Sequence, residues 1–270
     1  MIQLLELATP RVDRPLKRPA LRYHGGKWKL AEWIIAHLPP HRIYCEPFGG
    51  AASVLLKKPR ARAEVYNDLD GEVVNLFRVL RDPETAAELR RRIELTPFSR
   101  VEFRAAYARC RHGGQSIERS APCINCARMM LVRSFQGFGS AAMTRTHVTG
   151  FRKNSNRSGT TPAQDWRNWP DHVPAIVDRL RGVIVENKPA IEIIADHDRP
   201  DCLFYIDPPY PWGTRSSMQD RKRIGVKHAY RHEMTDHDHA VLAAFLRGEP
   251  SLAGADLAGT PPLCGPHGGG

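Results

Sequence analysis

Near the start of the chain, segments with apolar residues at helical spacing alternate with short apolar runs that are typical of buried strands. An amphipathic helix is predicted to begin just after Gly25-Gly26-Lys27 and to end at Pro39-Pro40. The stretch RIYCEPFGGAASVLL predicts a short strand, a Gly-rich turn and a helix, and RAEVYNDLD predicts a second strand with a polar end. This order of helices and strands is typical of a parallel sheet with helical crossovers. The apolar positions of the first helix are Leu30, Trp33, Ile34 and Leu38, and those of the helix after the second strand are Val73, Leu76, Phe77 and Leu80.

The α/β pattern stops at residue 83 and returns after about residue 175. The intervening residues combine some helical pattern with a long polar stretch, RTHVTGFRKNSNRSGTTPAQ, which indicates a separate functional insert. Beyond it we predict a strand at Val183–Asn187, a helix through Ile191 and Ile194, and a strand at Cys202–Ile206. Thr235 and Asp238 form a predicted capping box for a last helix. No periodicity is evident after Gly248.

Composition is that of an ordinary globular chain. Its 270 residues are 41% hydrophobic and 26% charged, and no apolar run is long enough to cross a bilayer. The N-terminal segment is apolar and then basic, which is the wrong order for a secretory signal. Six scattered cysteines do not indicate a disulfide framework. We therefore expect a cytoplasmic protein without a membrane partner.

Positive charge is concentrated in the middle of the chain. The formal net charge is +11, and residues 78–181 hold 19 Lys and Arg against 9 Asp and Glu. Residues 120–164 contain six basic residues and no acidic ones. Such a stretch favours a polyanion, most often nucleic acid, although a solvated basic face is the simpler alternative.

A Gly-rich turn follows the first predicted strand, in the stretch Glu46-Pro47-Phe48-Gly49-Gly50. Asp68 comes about 20 residues later, after the second strand, where an acid can bind ribose hydroxyls. This combination favours a nucleoside-type cofactor, whereas a Gly-Gly turn alone is more often only a turn. Tyr23 and Lys27, beside Gly25-Gly26, could complete the pocket.

The stretch Asp207-Pro208-Pro209-Tyr210 follows the last predicted strand, so it is expected at the same edge of the sheet. The two prolines restrict the residues before them, which makes a stiff corner. The carboxylate of Asp207 and the carbonyl of Pro208 would then be two fixed acceptors beside the flat ring of Tyr210. That set suits a planar base carrying an amino group, because the ring stacks while the acceptors take the amino hydrogens. A simple turn after a buried strand is the competing interpretation.

These motifs, in this order, resemble those of the Dam-type (D12 class) adenine-specific DNA methyltransferases. The resemblance covers about residues 21–246, through RYHGGKWKLAEWI, EPFGGAASVLL, YNDLDGEVVNLFRVL, RSFQGFG, GVIVEN, LFYIDPPY and YRHEMTDHDHAVLAAFL. It implies transfer of a methyl group from S-adenosylmethionine to a flipped adenine in a short duplex DNA site. It also implies a Rossmann-like α/β methyltransferase sheet with helices on both faces and a mainly helical target-recognition insert. The expected organisation is a basic arm (1–20), a catalytic domain (21–82 and 176–248), the insert (83–175) and an irregular tail (249–270).

The resemblance also implies roles for individual residues. Asp207, Pro208 and Tyr210 would hold the target adenine, and Asp207 would also lie beside the cofactor. The implied cofactor contacts are Tyr23, Lys27, Phe48, Gly49, Gly50 and Asp68. In the insert, the implied DNA contacts are Arg133, Phe135, Gln136 and Phe138. Double-stranded DNA is the implied partner, together with a restriction endonuclease if the chain is part of a restriction system.

Two departures and several alternatives accompany this interpretation. Ala52 stands where the family usually has glycine, and the Gly/Pro/Ala-rich tail replaces strands that finish the family's sheet, so we expect truncated C-terminal strands. Alternatives are methylation of cytosine N4, of RNA or of a protein amide, or a DNA-binding homologue without turnover. No metal is expected, because Cys110, Cys123 and Cys126 lack a fourth ligand at metal spacing. The histidines at 228, 232, 237 and 239 are interpreted as exposed.

Overall fold

The computed structural model describes residues 16–23, 25–112, 161–211 and 232–249. These residues fall into two compact units. The first contains the described residues up to Asp207, together with His232, and the second contains residues 208–211 and 233–249. Within the described ranges, the sheet and most helices belong to the first unit, and one helix belongs to the second.

Among its described residues, the first unit is built on a parallel sheet of four strands. They are β1 (Ile43–Glu46), β2 (Ala63–Asn67), β3 (Val183–Glu186) and β4 (Cys202–Phe204), in the spatial order β3-β2-β1-β4. All three pairings are parallel. The prediction of a parallel α/β sheet is confirmed. Because the strands are parallel, the loops that follow them all leave from one edge of the sheet, which places the site described below.

Helices connect the strands and cover the sheet. In the first unit they are α1 (Ala31–Ala36), α2 (Ser53–Lys57), α3 (Gly71–Arg81), α4 (Pro83–Leu95), α5 (Arg100–His112), α6 (Pro162–Asn168), α7 (Val173–Leu180) and α8 (Ala190–His197). A 3₁₀ turn, Pro170–His172, separates α6 from α7. The second unit contains α9 (Asp236–Leu246), which begins with the predicted capping box between Thr235 and Asp238.

The hydrophobic core confirms one predicted helix face and contradicts another. All four apolar positions predicted for α3 are fully buried. In α1, however, Leu30 and Trp33 are 55% and 65% exposed, so their assignment to the core face is wrong. The helix begins only at Ala31, and this small residue is the one that is fully buried. Ile34 and Leu38 pack partly against the core, as predicted.

The segment before Tyr23 is joined to the helical region that precedes β3 by a hydrogen bond and ion pairs. Ala20 is buried, and its carbonyl accepts a hydrogen bond from Trp169 Nε1 at 2.7 Å. The guanidinium groups of Arg18 and Arg22 both pair with the carboxylate of Asp165, at 3.0 and 2.5 Å. The end of the segment predicted as an arm therefore packs on the first unit.

Described parts of the predicted insert share the core of the parallel sheet. Ala86, Leu89 and Ile93 of α4 are buried in the same cluster as α3, and so is Trp166 of α6. Residues 113–160 lie outside the described part of the chain. The domain boundaries and the truncated C-terminal strands stay predictions.

A buried ionic cluster holds α2 and α7 against the sheet. Glu64 of β2 binds Arg179 of α7 through two contacts of 2.6 and 3.0 Å, and Lys58 Nζ at 3.0 Å. Arg179 also donates to the carbonyl of Leu55 in α2. Loss of one partner would leave a buried charge uncompensated, at a cost of about 3–5 kcal/mol. The cluster thus fixes α2, which follows the Gly-rich turn.

Candidate functional site

Both glycines of the turn after β1 are required by the space around them. A Cβ atom on Gly49 would lie 2.2 Å from the ring of Tyr66, and Gly49 N donates to the carbonyl of Asn67 at 2.7 Å. Gly50 has a φ of +48°, and a Cβ there would lie 2.9 Å from the ring of Tyr23. The turn is therefore packed between the end of β2 and Tyr23, and only glycine fits at these two positions.

Ala52 adopts the left-handed conformation, with a φ of +51°. A side chain costs about 1–2 kcal/mol in this region, which is why glycine is common there. The glycine that the resemblance implies at this position would avoid this cost. In this chain the fully buried alanine methyl group is accommodated at the entry to α2.

The Asp68 carboxylate is oriented by two backbone N–H groups. Oδ2 accepts from Gly50 N at 2.8 Å, and Oδ1 accepts from Asp70 N at 2.7 Å. The carbonyl of Asp68 accepts from the side-chain amide of Asn187, in the loop after β3, at 2.7 Å. Asp70 in turn caps α3 by accepting from Glu72 N at 3.0 Å. The predicted ribose-binding acid is thus hydrogen-bonded directly to the Gly-rich turn.

Asp207 and Lys27 form an ion pair at the same edge of the sheet. Lys27 Nζ lies 2.6 Å from Asp207 Oδ2 and donates to the carbonyl of Gly25 at 2.8 Å. Both side chains are largely buried. Backbone pairing continues past β4, because Tyr205 N donates to the carbonyl of Cys45 at 2.9 Å. This pairing carries the chain from β4 toward Asp207, and the lysine holds one oxygen of its carboxylate.

The other predicted site residues are only partly described. Phe48 is half-buried in the turn after β1. Pro208 and Tyr210 belong to the second unit, and Tyr210 is 45% exposed. Their arrangement beside Asp207 stays a prediction. The predicted DNA contacts Arg133, Phe135, Gln136 and Phe138 lie outside the described residues.

Three polar residues at this edge were not identified from the sequence. Glu46, at the end of β1, is buried and accepts from the Tyr44 hydroxyl at 2.8 Å and from Leu55 N at 2.7 Å. Asn67 ends β2 and is also buried. The Ser53 hydroxyl is buried and has no hydrogen-bond partner among the described residues. It lies near Gly26, because a Cβ on that glycine would be 3.8 Å from Ser53 Oγ.

These groups are chemically suited to a nucleoside cofactor with an amino-acid part. A carboxylate is an acceptor for ribose hydroxyls, and a buried unpartnered hydroxyl beside a Gly-rich segment is available to a polar ligand atom. The Tyr23 ring lies directly next to Gly50. The residues that could hold such a cofactor are Tyr23, Lys27, Phe48, Gly49, Gly50, Ser53 and Asp68.

The described part of the chain shows neither a metal cluster nor a membrane-spanning helix. Within these ranges, no three His, Cys, Asp or Glu side chains gather as a metal ion would require. In the same ranges, none of the helices combines the length and apolar character needed to cross a membrane.

A parallel α/β sheet with a Gly-rich turn, an acid and a lysine–aspartate pair at one edge is a Rossmann-like arrangement, and in such sheets ligands generally bind at the carboxyl ends of the strands. The chain belongs to the D12 class of N6 adenine-specific DNA methyltransferases, whose family model matches residues 23–247. This finding confirms the resemblance stated from the motifs.

The chain is also similar to curated proteins over a shorter stretch. It is 37% identical over 65 residues to a DNA adenine methylase of Vibrio cholerae serotype O1, which is 24% of this chain and 23% of that protein. It is 34% identical over 64 residues to the DNA adenine methylase of Serratia marcescens, again 24% of this chain and 23% of the relative. The matched segment therefore spans about a quarter of the length of these relatives.

Proposed function

We propose that this chain transfers a methyl group from S-adenosylmethionine to the N6 amino group of an adenine in double-stranded DNA. The observation that carries the proposal is the position of the Asp207 carboxylate. It lies at the edge where Asp68 and the Gly-rich turn meet, and Lys27 holds it at 2.6 Å. Membership of the D12 family supports adenine as the base.

Asp207 acts on the amino group of the target base. Lys27 occupies Oδ2 of the carboxylate and fixes its orientation, so that an oxygen can accept an N6–H hydrogen bond. Such a bond favours a pyramidal nitrogen, whose lone pair is less delocalised into the purine and therefore more nucleophilic. The Pro208 carbonyl accepts the second amino hydrogen, and the Tyr210 ring stacks on the base. S-Adenosylmethionine, when bound, supplies an electrophilic methyl group.

The donor is bound by residues of the first unit. Asp68, oriented by Gly50 N and Asp70 N, accepts hydrogen bonds from the ribose hydroxyls. Tyr23 and the Gly-rich turn enclose the donor, and the buried hydroxyl of Ser53 contacts one of its polar atoms. Because the adenine amino group is inside the duplex, the base must leave the stack to reach Asp207, at a cost of a few kcal/mol. Basic residues of the insert offset this cost through phosphate contacts.

The test is transfer of a tritiated methyl group to duplex DNA, followed by analysis of the product nucleosides. We expect N6-methyladenine from the wild type and no product from Asp207→Asn. The matched control is Asp201→Asn, which changes a partly exposed acid at the opposite end of the same strand. N4-Methylcytosine as the product would identify the cytosine alternative. DNA binding by a folded wild type without methyl transfer would identify a binding homologue and refute the proposal.

A further inference from the structure

The side chain of Asn67 connects three loops at the ligand edge of the sheet. This residue ends β2 and is only 1% exposed. Its Nδ2 donates to the carbonyls of Pro47 and Lys188, both at 2.9 Å, and its Oδ1 accepts from Lys188 N at 2.9 Å. Its own carbonyl accepts from Gly49 N at 2.7 Å. One residue thus makes four hydrogen bonds with the chain on both sides of β2.

These four bonds join the loops that follow β1, β2 and β3. Pro47 and Gly49 lie in the turn after β1, Lys188 lies in the loop after β3, and Asn67 itself leads into Asp68. Since β2 lies between β1 and β3, its last residue is the one that can reach both neighbours. A primary amide offers two donors and an acceptor, and here these meet two carbonyls and one N–H. A carboxylate of the same shape has no hydrogen to donate.

A second contact one residue further along the chain repeats the connection. The side-chain amide of Asn187 donates to the carbonyl of Asp68 at 2.7 Å, so the loop after β3 is joined to the loop after β2 twice. The Asp68 carboxylate meanwhile accepts from Gly50 N in the turn after β1. The position of Asp68 therefore depends on both neighbouring loops, and Asn67 holds both of them.

We propose that Asn67 is a positioning residue for the methyl donor, holding the three loops at the spacing that lets Asp68 and the Gly-rich turn bind its nucleoside part. The inference rests on the proposed function, which makes Asp68 the ribose-binding acid. Asn67 acts through Asp68 and the turn. Its loss should therefore weaken donor binding more than it changes the methyl-transfer step.

The first measurement is the dissociation constant of S-adenosylhomocysteine by isothermal titration calorimetry. Asn67→Asp keeps the shape of the side chain but sets carboxylate oxygens against two carbonyls, so we expect binding at least about ten-fold weaker at pH 8. Lowering the pH should restore part of the affinity, because a protonated carboxyl can donate one hydrogen. The wild type should lack this recovery. In methyl transfer, the KM for the donor should rise with little change in kcat.

The control separates loop positioning from a general loss of stability. Val65→Ala removes a buried side chain two residues earlier on the same strand, without touching the three loops. It should lower the free energy of unfolding and leave the dissociation constant unchanged. Hydrogen exchange without ligand gives a second readout. Repulsion between the new carboxylate and the carbonyls of Pro47 and Lys188 should loosen the loop after β3, so the Lys188 amide should exchange faster in Asn67→Asp and not in Val65→Ala. If Asn67→Asp fails to fold, Asn67→Ser is measured in the same way.

The outcomes distinguish this inference from the proposed function. If the wild type binds S-adenosylhomocysteine and the Asn67 variant binds it equally well, the positioning role is overturned while the proposed function stands. The positioning role is likewise overturned if Val65→Ala weakens binding as much as the Asn67 variant. If the wild type binds no S-adenosylhomocysteine, the proposed function fails and the inference fails with it. A selective loss in the Asn67 variant, with faster exchange at Lys188, supports the inference.

Discussion

Glu46 is an ionisable residue that is buried in the core at the start of the Gly-rich turn. Burial raises its pKa from 4.5 to about 7, although hydrogen bonds from the Tyr44 hydroxyl and Leu55 N favour the charged form. The negative charge of Asp207 raises the pKa further, and the positive charge of Arg179 lowers it. Replacement of Glu46 by glutamine keeps an oxygen acceptor for both donors and removes the ionisation.

The expected effect follows from proton linkage. Between pH 4.5 and about 7 the folded protein binds the Glu46 proton more tightly than the unfolded chain, so the wild type loses stability as the pH rises through this range. Relative to low pH, where the carboxyl is protonated in both states, Glu46 lowers the free energy of unfolding by about 1 kcal/mol at pH 5 and by about 3 kcal/mol at pH 8. Glu46→Gln has no such loss. The stability of the variant relative to the wild type should therefore increase by about 2 kcal/mol between pH 5 and pH 8.

Urea unfolding of both proteins at pH 5, 6, 7 and 8, followed by tryptophan fluorescence, measures this difference. Other titrating groups cancel in the comparison, because they are common to both proteins. Glu46→Ala is the control: it also removes the ionisation and should show the same pH trend, but it leaves the Tyr44 hydroxyl and Leu55 N without an acceptor. It should therefore be less stable than Glu46→Gln at every pH, by about 1–3 kcal/mol per group. A stability difference between Glu46→Gln and the wild type that stays constant from pH 5 to 8 would refute the reasoning.

Three further predictions concern the Gly-rich turn and the charged residues beside it. Gly49→Ala places a Cβ 2.2 Å from an aromatic ring and should lower the melting temperature far more than Gly182→Ala, which has a φ of +78° but open space around it; calorimetry that found equal shifts would contradict this. Lys27→Met should lower kcat/KM for methyl transfer at least about ten-fold by releasing Asp207, with DNA binding by gel shift unchanged. Asp68→Asn should raise the KM for the donor, and an unchanged KM in initial-rate assays would remove Asp68 from the cofactor site.

The sequence pattern predicted the buried residues correctly where one face of an element carried all its apolar residues. Helix α3 shows this, because its buried face could be identified from spacing alone. Helix α1 shows the limit: apolar residues surround it, and spacing could not indicate that the small Ala31 faces the core while Trp33 faces solvent. Periodicity identifies faces, but the packing partner decides between two apolar faces.

The candidate site was predictable only as far as general rules of parallel sheets extend. Such rules place Gly50 and Asp68 at one edge, and the structure shows the two in contact. The roles of Glu46 and Asn67 depend on which backbone atoms of a neighbouring helix and of neighbouring loops come within 3 Å. That information is absent from residue spacing within a single strand. The pairing of Lys27 with Asp207 could not be predicted from the sequence either, since 180 residues separate the two.

The separation of Lys27 and Asp207 along the chain has a consequence for synthesis. Among the four described strands, β4 pairs with β1 alone and is the last to leave the ribosome. Chains begin to fold from their N-terminal part during translation. The turn after β1, Asp68 and the loop after β3 can therefore assemble first, and the ion pair between Lys27 and Asp207 forms only when residue 207 leaves the ribosome, 180 residues after the lysine.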